Sequence, residues 1–143
     1  MGCSITKHQQ KGNVDPKEFT FETPFITQKS IPILLFNLNG VTKNFLFNTG
    51  ADVSLIQREH PLGKTQSISG ASKRKIKFGE EYVRLLKIGT VDFKNTFALN
   101  GVLDGLKQQI PNFGGIIGQT IINKANWQID FPNKKLILSN KDL

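Results

Sequence analysis

The chain has a single cysteine, Cys3, so no internal disulfide framework can form. Histidine is nearly as scarce, with only His8 and His60. A zinc centre uses four nitrogen or sulfur ligands, or three and an open position. Cys3, His8 and His60 are too scattered to supply one, and no cofactor is expected. No apolar run approaches the ~20 residues of a membrane span, and no signal-peptide core is present. Tandem repeats and low-complexity tracts are missing too. There are eleven phenylalanines but one tyrosine and one tryptophan. The phenylalanines fall mostly in core-like alternation, which leaves few aromatics to stack on single-stranded nucleic acid.

What is there fits one domain. At 143 residues the chain can bury well over half of its unfolded surface, so it needs neither disulfide nor metal to fold. Lys and Arg number 19 against 11 Asp and Glu, a net charge of +8. Such an excess favours acidic partners. Most of the lysines are isolated and read as a solvated surface; the exception is "SKRKIK", Ser72 to Lys77.

Residues 1–18 are polar and aperiodic and read as a flexible tail or tether, with the domain over 19–143. The start, "MGCSIT", has three readings. It fits N-myristoylation at Gly2, with Cys3 open to a second acyl chain. It also looks like the Gly–Cys junction left when a bacterial lipoprotein signal is removed, which would place the protein at the cell envelope. Or the match carries no meaning. Membrane association depends on lipidation of Gly2 or Cys3.

Beyond the tail come short apolar strands. "FTFETPF" puts Phe19 and Phe21 on one face and Thr20 and Glu22 on the other. "IPILLFNLNGVTKNFLF" is two strands joined at Asn39-Gly40, a strong hairpin signal because both turn positions need positive φ. "VSLI", "KIKFG", "VRLLKIG", "FKNTFAL", "NWQIDF" and "KLIL" follow. One segment looks helical: Gln119 to Asn126, about two turns, too short to stand without packing on a sheet. This pattern indicates an all-β barrel or sandwich.

Two motifs stand out together: "FLFNTGA" (Phe45 to Ala51) and the run beginning "GGIIGQTIINKANWQIDF" at Gly114. Together they resemble the retropepsin-like aspartic peptidases, in particular bacterial-type members. That family has two hydrophobic residues before Asp-Thr-Gly-Ala, and later two hydrophobic residues and Gly running into a short helix. Here Leu46-Phe47-Asn48-Thr49-Gly50-Ala51 takes the first place and Ile116-Ile117-Gly118 the second. The likeness spans about Phe19 to Leu138. It implies a closed β-barrel with a flap hairpin and one short C-terminal helix. It also implies a homodimer that hydrolyses peptide bonds with a water held between two Asp, one from each chain.

By the same resemblance, Thr49 would hold the facing elbow rigid, Gly50 would permit the turn and Ala51 would keep the interior small. The flap would be the hairpin Ser67 to Gly79, with Ile68, Ser69, Gly70 and Ala71 over the substrate and Ile116 and Ile117 lining its cleft. Lys73, Arg74, Lys75 and Lys77 would put positive charge at the cleft mouth and favour acidic peptides.

The departure is at position 48, where the family's Asp is Asn. An amide has nearly the shape of a neutral carboxylic acid but does not titrate, so it cannot be the base. The expectation is a fold that keeps peptide binding and loses cleavage. A natural pseudoenzyme and a deliberately inactivated form both fit. Asp52 and Asp130 read as structural carboxylates, Asp92 and Asp104 as exposed ones in turn-like surroundings, and Trp127 as a core anchor. Two other readings remain: a non-catalytic peptide-binding module, and a basic barrel that binds nucleic acid. The second rests on charge and on "GIIG" (Gly115 to Gly118), which has GxxG spacing but no basic residue between the glycines.

Overall fold

The structure, a computed structural model, describes residues 7–69 and 75–143. Strands dominate, and six of their pairings close a ring. β4 (Ile31–Leu38) and β5 (Val41–Phe47) form the hairpin expected at Asn39-Gly40, with φ of 48° and 102° at those two residues. Asn37 Oδ1 also accepts the Gly40 N–H at 2.7 Å. β6 (Ser54–Gln57) follows the first motif, and the long antiparallel pair β8 (Lys75–Ile88) and β9 (Val91–Gly101) comes next. β10 (Phe113–Ile117) lies between β5 and β6, parallel to one and antiparallel to the other. β9 pairs β6, and β4 pairs β8. The circuit β9–β6–β10–β5–β4–β8–β9 has no open edge, so the all-β chain is a closed barrel and not a sandwich.

Alternation fills this barrel. Leu34, Phe36 and Leu38 of β4 and Phe45 and Phe47 of β5 point inward, with Val83, Leu86, Phe93, Ile117 and Ile121. The opposite face of the same strands carries a second apolar cluster of Ile33, Leu46 and Phe113. It is covered by Ile110 and by Leu106 of helix α1 (Asp104–Gln109). A small antiparallel sheet stands beside the barrel: β11 (Asn126–Asp130), β12 (Lys135–Ser139) and β2 (Thr20–Pro24). Leu136 and Leu138 join it to the main core. The short strands β1 (Asn13–Asp15), β3 (Ile26–Gln28) and β7 (Thr65–Ser69) pair with β9, β4 and β8 respectively.

Several expectations need correction. The helix after Gly118, α2, covers only Gln119–Ile122. It stops early because the Trp127 indole N–H takes the Ile122 carbonyl at 2.8 Å, where β11 begins. Helix α1 was not legible: "DGLKQQ" contains a glycine and one apolar residue, and packing of Leu106, not periodicity, holds it. "KIKFG" and "VRLLKIG" are one strand that runs through Gly79. A Cβ there would lie 2.0 Å from the Leu62 carbonyl oxygen, so glycine is needed for the close approach of the turn before β7.

The polar tail is also not free from residue 7 on. Residues 7–9 form a helical turn, the His8 ring stacks on Phe97 at 3.9 Å, and β1 pairs with β9. Its polarity reflects side chains that bond to backbone and pair with β9, as Asp15 does with Lys94 at 3.2 Å.

Phe45 is fully buried where β4 meets β5 and makes an edge contact with Phe36. Phe45→Ala is expected to cost about 3–5 kcal/mol, read as a lower urea midpoint at unchanged m-value.

Candidate active site

The site is built where two strands from distant parts of the chain run side by side. Ile116 and Ile117 of β10 pair in parallel with Leu46 and Phe47 of β5. The ladder continues one step, with Asn48 N–H donating to the Ile117 carbonyl at 3.0 Å. The chain then turns. Asn48 Oδ1 accepts the Gly50 N–H at 3.0 Å, and the Asn48 carbonyl accepts the Ala51 N–H at 3.2 Å. A carboxylate oxygen could accept the same Gly50 N–H, so the amide keeps the elbow's shape. Its Nδ2 has no partner among the described residues.

The second motif holds the elbow from behind. Gln119 N–H donates to the Ala51 carbonyl, and its side-chain Nε2 donates to the Thr49 carbonyl, both at 2.8 Å. Below them lies a buried hydroxyl pair. Ser54 Oγ accepts the Gly118 N–H at 3.0 Å and the Thr120 hydroxyl at 2.8 Å. Thr120 Oγ1 accepts the Ser54 N–H at 3.0 Å. Gly118 must be small here, since a Cβ would lie 2.4 Å from the Val53 carbonyl oxygen. Ser54, Thr120 and Gln119 were missed from sequence. The available signal was slight: a serine inside an apolar strand, and two polar residues opening a helix.

The structure sorts the expected site residues. Asn48 and Ala51 are half-buried at the elbow; Thr49 and Gly50 are exposed. The Thr49 hydroxyl has no partner among the described residues. Gly50 does not have a positive φ, and a Cβ on it would meet Asn48 Oδ1 at an ordinary 3.4 Å. The turn in this chain therefore does not require glycine there, contrary to expectation. Ile116 is half-buried on the face shared with Leu46, beside the second apolar cluster. Ile117 does not line a cleft: alternation along β10 points it into the barrel core, where it is fully buried.

Ile68 and Ser69 lie on β7, opposite Ile76 and Lys75 in the hairpin with β8. Gly70 and Ala71, with Lys73 and Arg74 of the expected tip, lie outside the described residues.

Beside the elbow is a recess of about 270 Å³ whose walls include Pro32, Phe47, Asn48, Thr49, Ile129 and Phe131. A second of about 560 Å³ shares Phe47, Thr49 and Ile129 with it and extends along Trp127 to Leu143. Trp127 is half-buried against Phe47 and Phe93, at ring separations of 5.0 and 6.1 Å.

The other carboxylates are engaged elsewhere or exposed. Asp130 accepts the side-chain and backbone N–H of Asn133, at 2.8 and 3.1 Å, which holds its pKa below the ordinary value. Asp92 is half-buried and ion-paired with Lys87 at 3.5 Å, not exposed as expected. Asp52 and Asp104 are exposed. Among the described residues no group of three or more His, Cys, Asp or Glu could hold a metal ion.

The fold has a solved counterpart. A retropepsin-like aspartic protease from Rickettsia conorii superposes with a TM-score of 0.60 at 18% sequence identity, over 84% of this chain and 98% of that one. The fold is retropepsin-like. No protein-family model matches the chain, and no curated protein matches it. The likeness is thus one of overall architecture.

Thr120→Val removes the acceptor of a buried N–H and is expected to cost about 1–3 kcal/mol in chemical denaturation. For Asp130, a carboxyl NMR titration should give a midpoint below the ordinary 3.8. Because the folded pKa is depressed, the stability it adds is present above the unfolded value. That contribution is lost as pH falls through the folded one, and Asp130→Asn should remove that part of the acid-side loss.

Proposed function

We propose that this chain is an aspartic-peptidase-type domain whose water-activating carboxylate is replaced by an amide, and that it holds peptide without cutting it. One observation carries the reading: Asn48 occupies the elbow and makes the Oδ1 to Gly50 bond that a carboxylate would make. In a site of this class two facing carboxylates share one proton, because two like charges so close do not both ionise. The ionised one takes a proton from water and the protonated one polarises the peptide carbonyl. Asn48 can donate and accept as a protonated acid does, but it takes up no proton from water. Two such residues would stand as a permanently protonated pair. The reading is the same for a natural pseudoenzyme and for a deliberately inactivated form.

The chain carries one elbow, so a complete site needs a second copy across a two-fold axis. Supporting this, Thr49 is exposed with a hydroxyl that has no partner among the described residues, and Phe131, 44% exposed, stands at the rim of the adjoining recess. The β7–β8 hairpin is the flap of this proposal, and its lysines would favour acidic peptides.

The test compares the chain as written with Asn48→Asp on samples of verified oligomeric state. The chain as written should leave a peptide library intact at acidic pH. Asn48→Asp should cleave it, with a bell-shaped pH dependence. Acid-pH cleavage by the unaltered chain would overturn the proposal. An inert Asn48→Asp that is folded and dimeric would mark the site as degenerate beyond this residue. Sedimentation should find dimer at high concentration; monomer alone would remove the shared site.

A further inference from the structure

The carbonyl oxygens of the elbow are held from outside it at three positions. Gln119 takes those of Thr49 and Ala51. The third, on Asp52, accepts a 2.8 Å bond from Gln9 Nε2, a residue 43 positions earlier in the chain. Gln9 belongs to neither motif. Its own carbonyl is bonded in turn: Asn123 Nδ2 donates to it at 3.1 Å and Lys124 Nζ at 2.7 Å. Both donors lie just past α2, the helix that grows out of the second motif. One residue therefore ties Asp52, just past the first motif, to the two residues just past α2, and closes a triangle with the N-terminal segment as its third side.

That third side is anchored independently. His8 stacks on the buried Phe97, and Val14 pairs opposite Phe93 on β9. Gly12 makes the bend between them; its φ is +89°, and a Cβ would lie 2.6 Å from the Lys94 carbonyl oxygen. Gln9 thus sits on a fixed base and does not simply follow the elbow. The elbow itself is exposed at Thr49, Gly50 and Asp52, the part of a loop that opens most readily.

We propose that Gln9 is a positioning residue that fixes the direction in which the elbow presents residue 48, so that the N-terminal segment is a working part of the site. The catalytic half of this proposal rests on the aspartic-peptidase reading; the mechanical half does not. A donor on Gln9 stops the Asp52 end of the turn from rotating outward. The Asn48 Oδ1 to Gly50 bond spans the other end of the same turn, and its geometry is kept by that restraint.

The test uses the full chain. Gln9→Met keeps the length and the backbone carbonyl but removes the donor to Asp52. Gln9→Lys restores a donor. By amide hydrogen exchange, Gly50 and Ala51 in Gln9→Met are expected to exchange roughly 3- to 10-fold faster than in the unaltered chain, the size of one net hydrogen bond. Core amides of β4 and β5 should be unchanged, and Gln9→Lys should recover most of the protection. In the Asn48→Asp background, Gln9→Met should lower kcat with KM unchanged, and Gln9→Lys should restore kcat.

Unchanged exchange at Gly50 and Ala51 would overturn the proposal. So would uniform acceleration across the barrel, which marks general destabilisation, or failure of Gln9→Lys to rescue. If Asn48→Asp proves inert, the exchange comparison still decides whether Gln9 braces the elbow, and the peptidase reading fails separately.

Discussion

Everything in the site depends on a parallel pairing between two strands that the sequence holds far apart. β10 lies along β5, and the Ile117 carbonyl receives the Asn48 N–H where the strands end. Parallel neighbours cannot be joined by a tight turn, so each must be supported by what lies on either side. Here β6 pairs the other edge of β10, and the Ser54–Thr120 hydroxyl pair fastens the strand after the first motif to the helix after the second. Those hydroxyls are buried, where an unmade bond is expensive. Their mutual satisfaction makes the crossing rigid. The elbow's exposed residues can then be small and few, because the strands behind them do not move.

Legibility from sequence followed this division. The strands that alternate were readable, and so was the hairpin at Asn39-Gly40, because two residues with positive φ leave a local mark. Asn48 was legible as the odd residue in a familiar frame. What could not be read was whatever depends on a distant partner. Helix α1 exists because Leu106 finds Ile33 and Leu46, not because its own sequence favours a helix. Ser54 and Thr120 look like ordinary polar residues until each supplies the other with a buried hydrogen bond. Gln9 looked like part of a tail because a glutamine that bonds to backbone leaves no pattern in composition. Ile117 was misplaced by one step of alternation: the motif names two isoleucines, and the strand turns one of them inward.

The amide at position 48 also bears on how sequence and structure divide the work. The turn around it is made of backbone bonds and one side-chain oxygen, and both Asn and Asp possess that oxygen. Fold and local geometry are therefore indifferent to whether position 48 is Asn or Asp. An architecture can therefore match a protease at 18% identity whichever of the two stands at position 48. Shape is distributed over many pairings, whereas proton affinity resides in one atom.

The closure of the molecule also sets an order of events. The Ser54–Thr120 contact spans 66 residues, and Asn140 reaches back 121 residues to Phe19. Contacts of such separation form late, because the loop must close before they repay its entropy. During synthesis the β4–β5 hairpin can fold as soon as it leaves the ribosome, but its end remains an open strand until residue 117 has emerged. Whatever the elbow binds, it cannot bind on the nascent chain until the barrel around it is nearly complete.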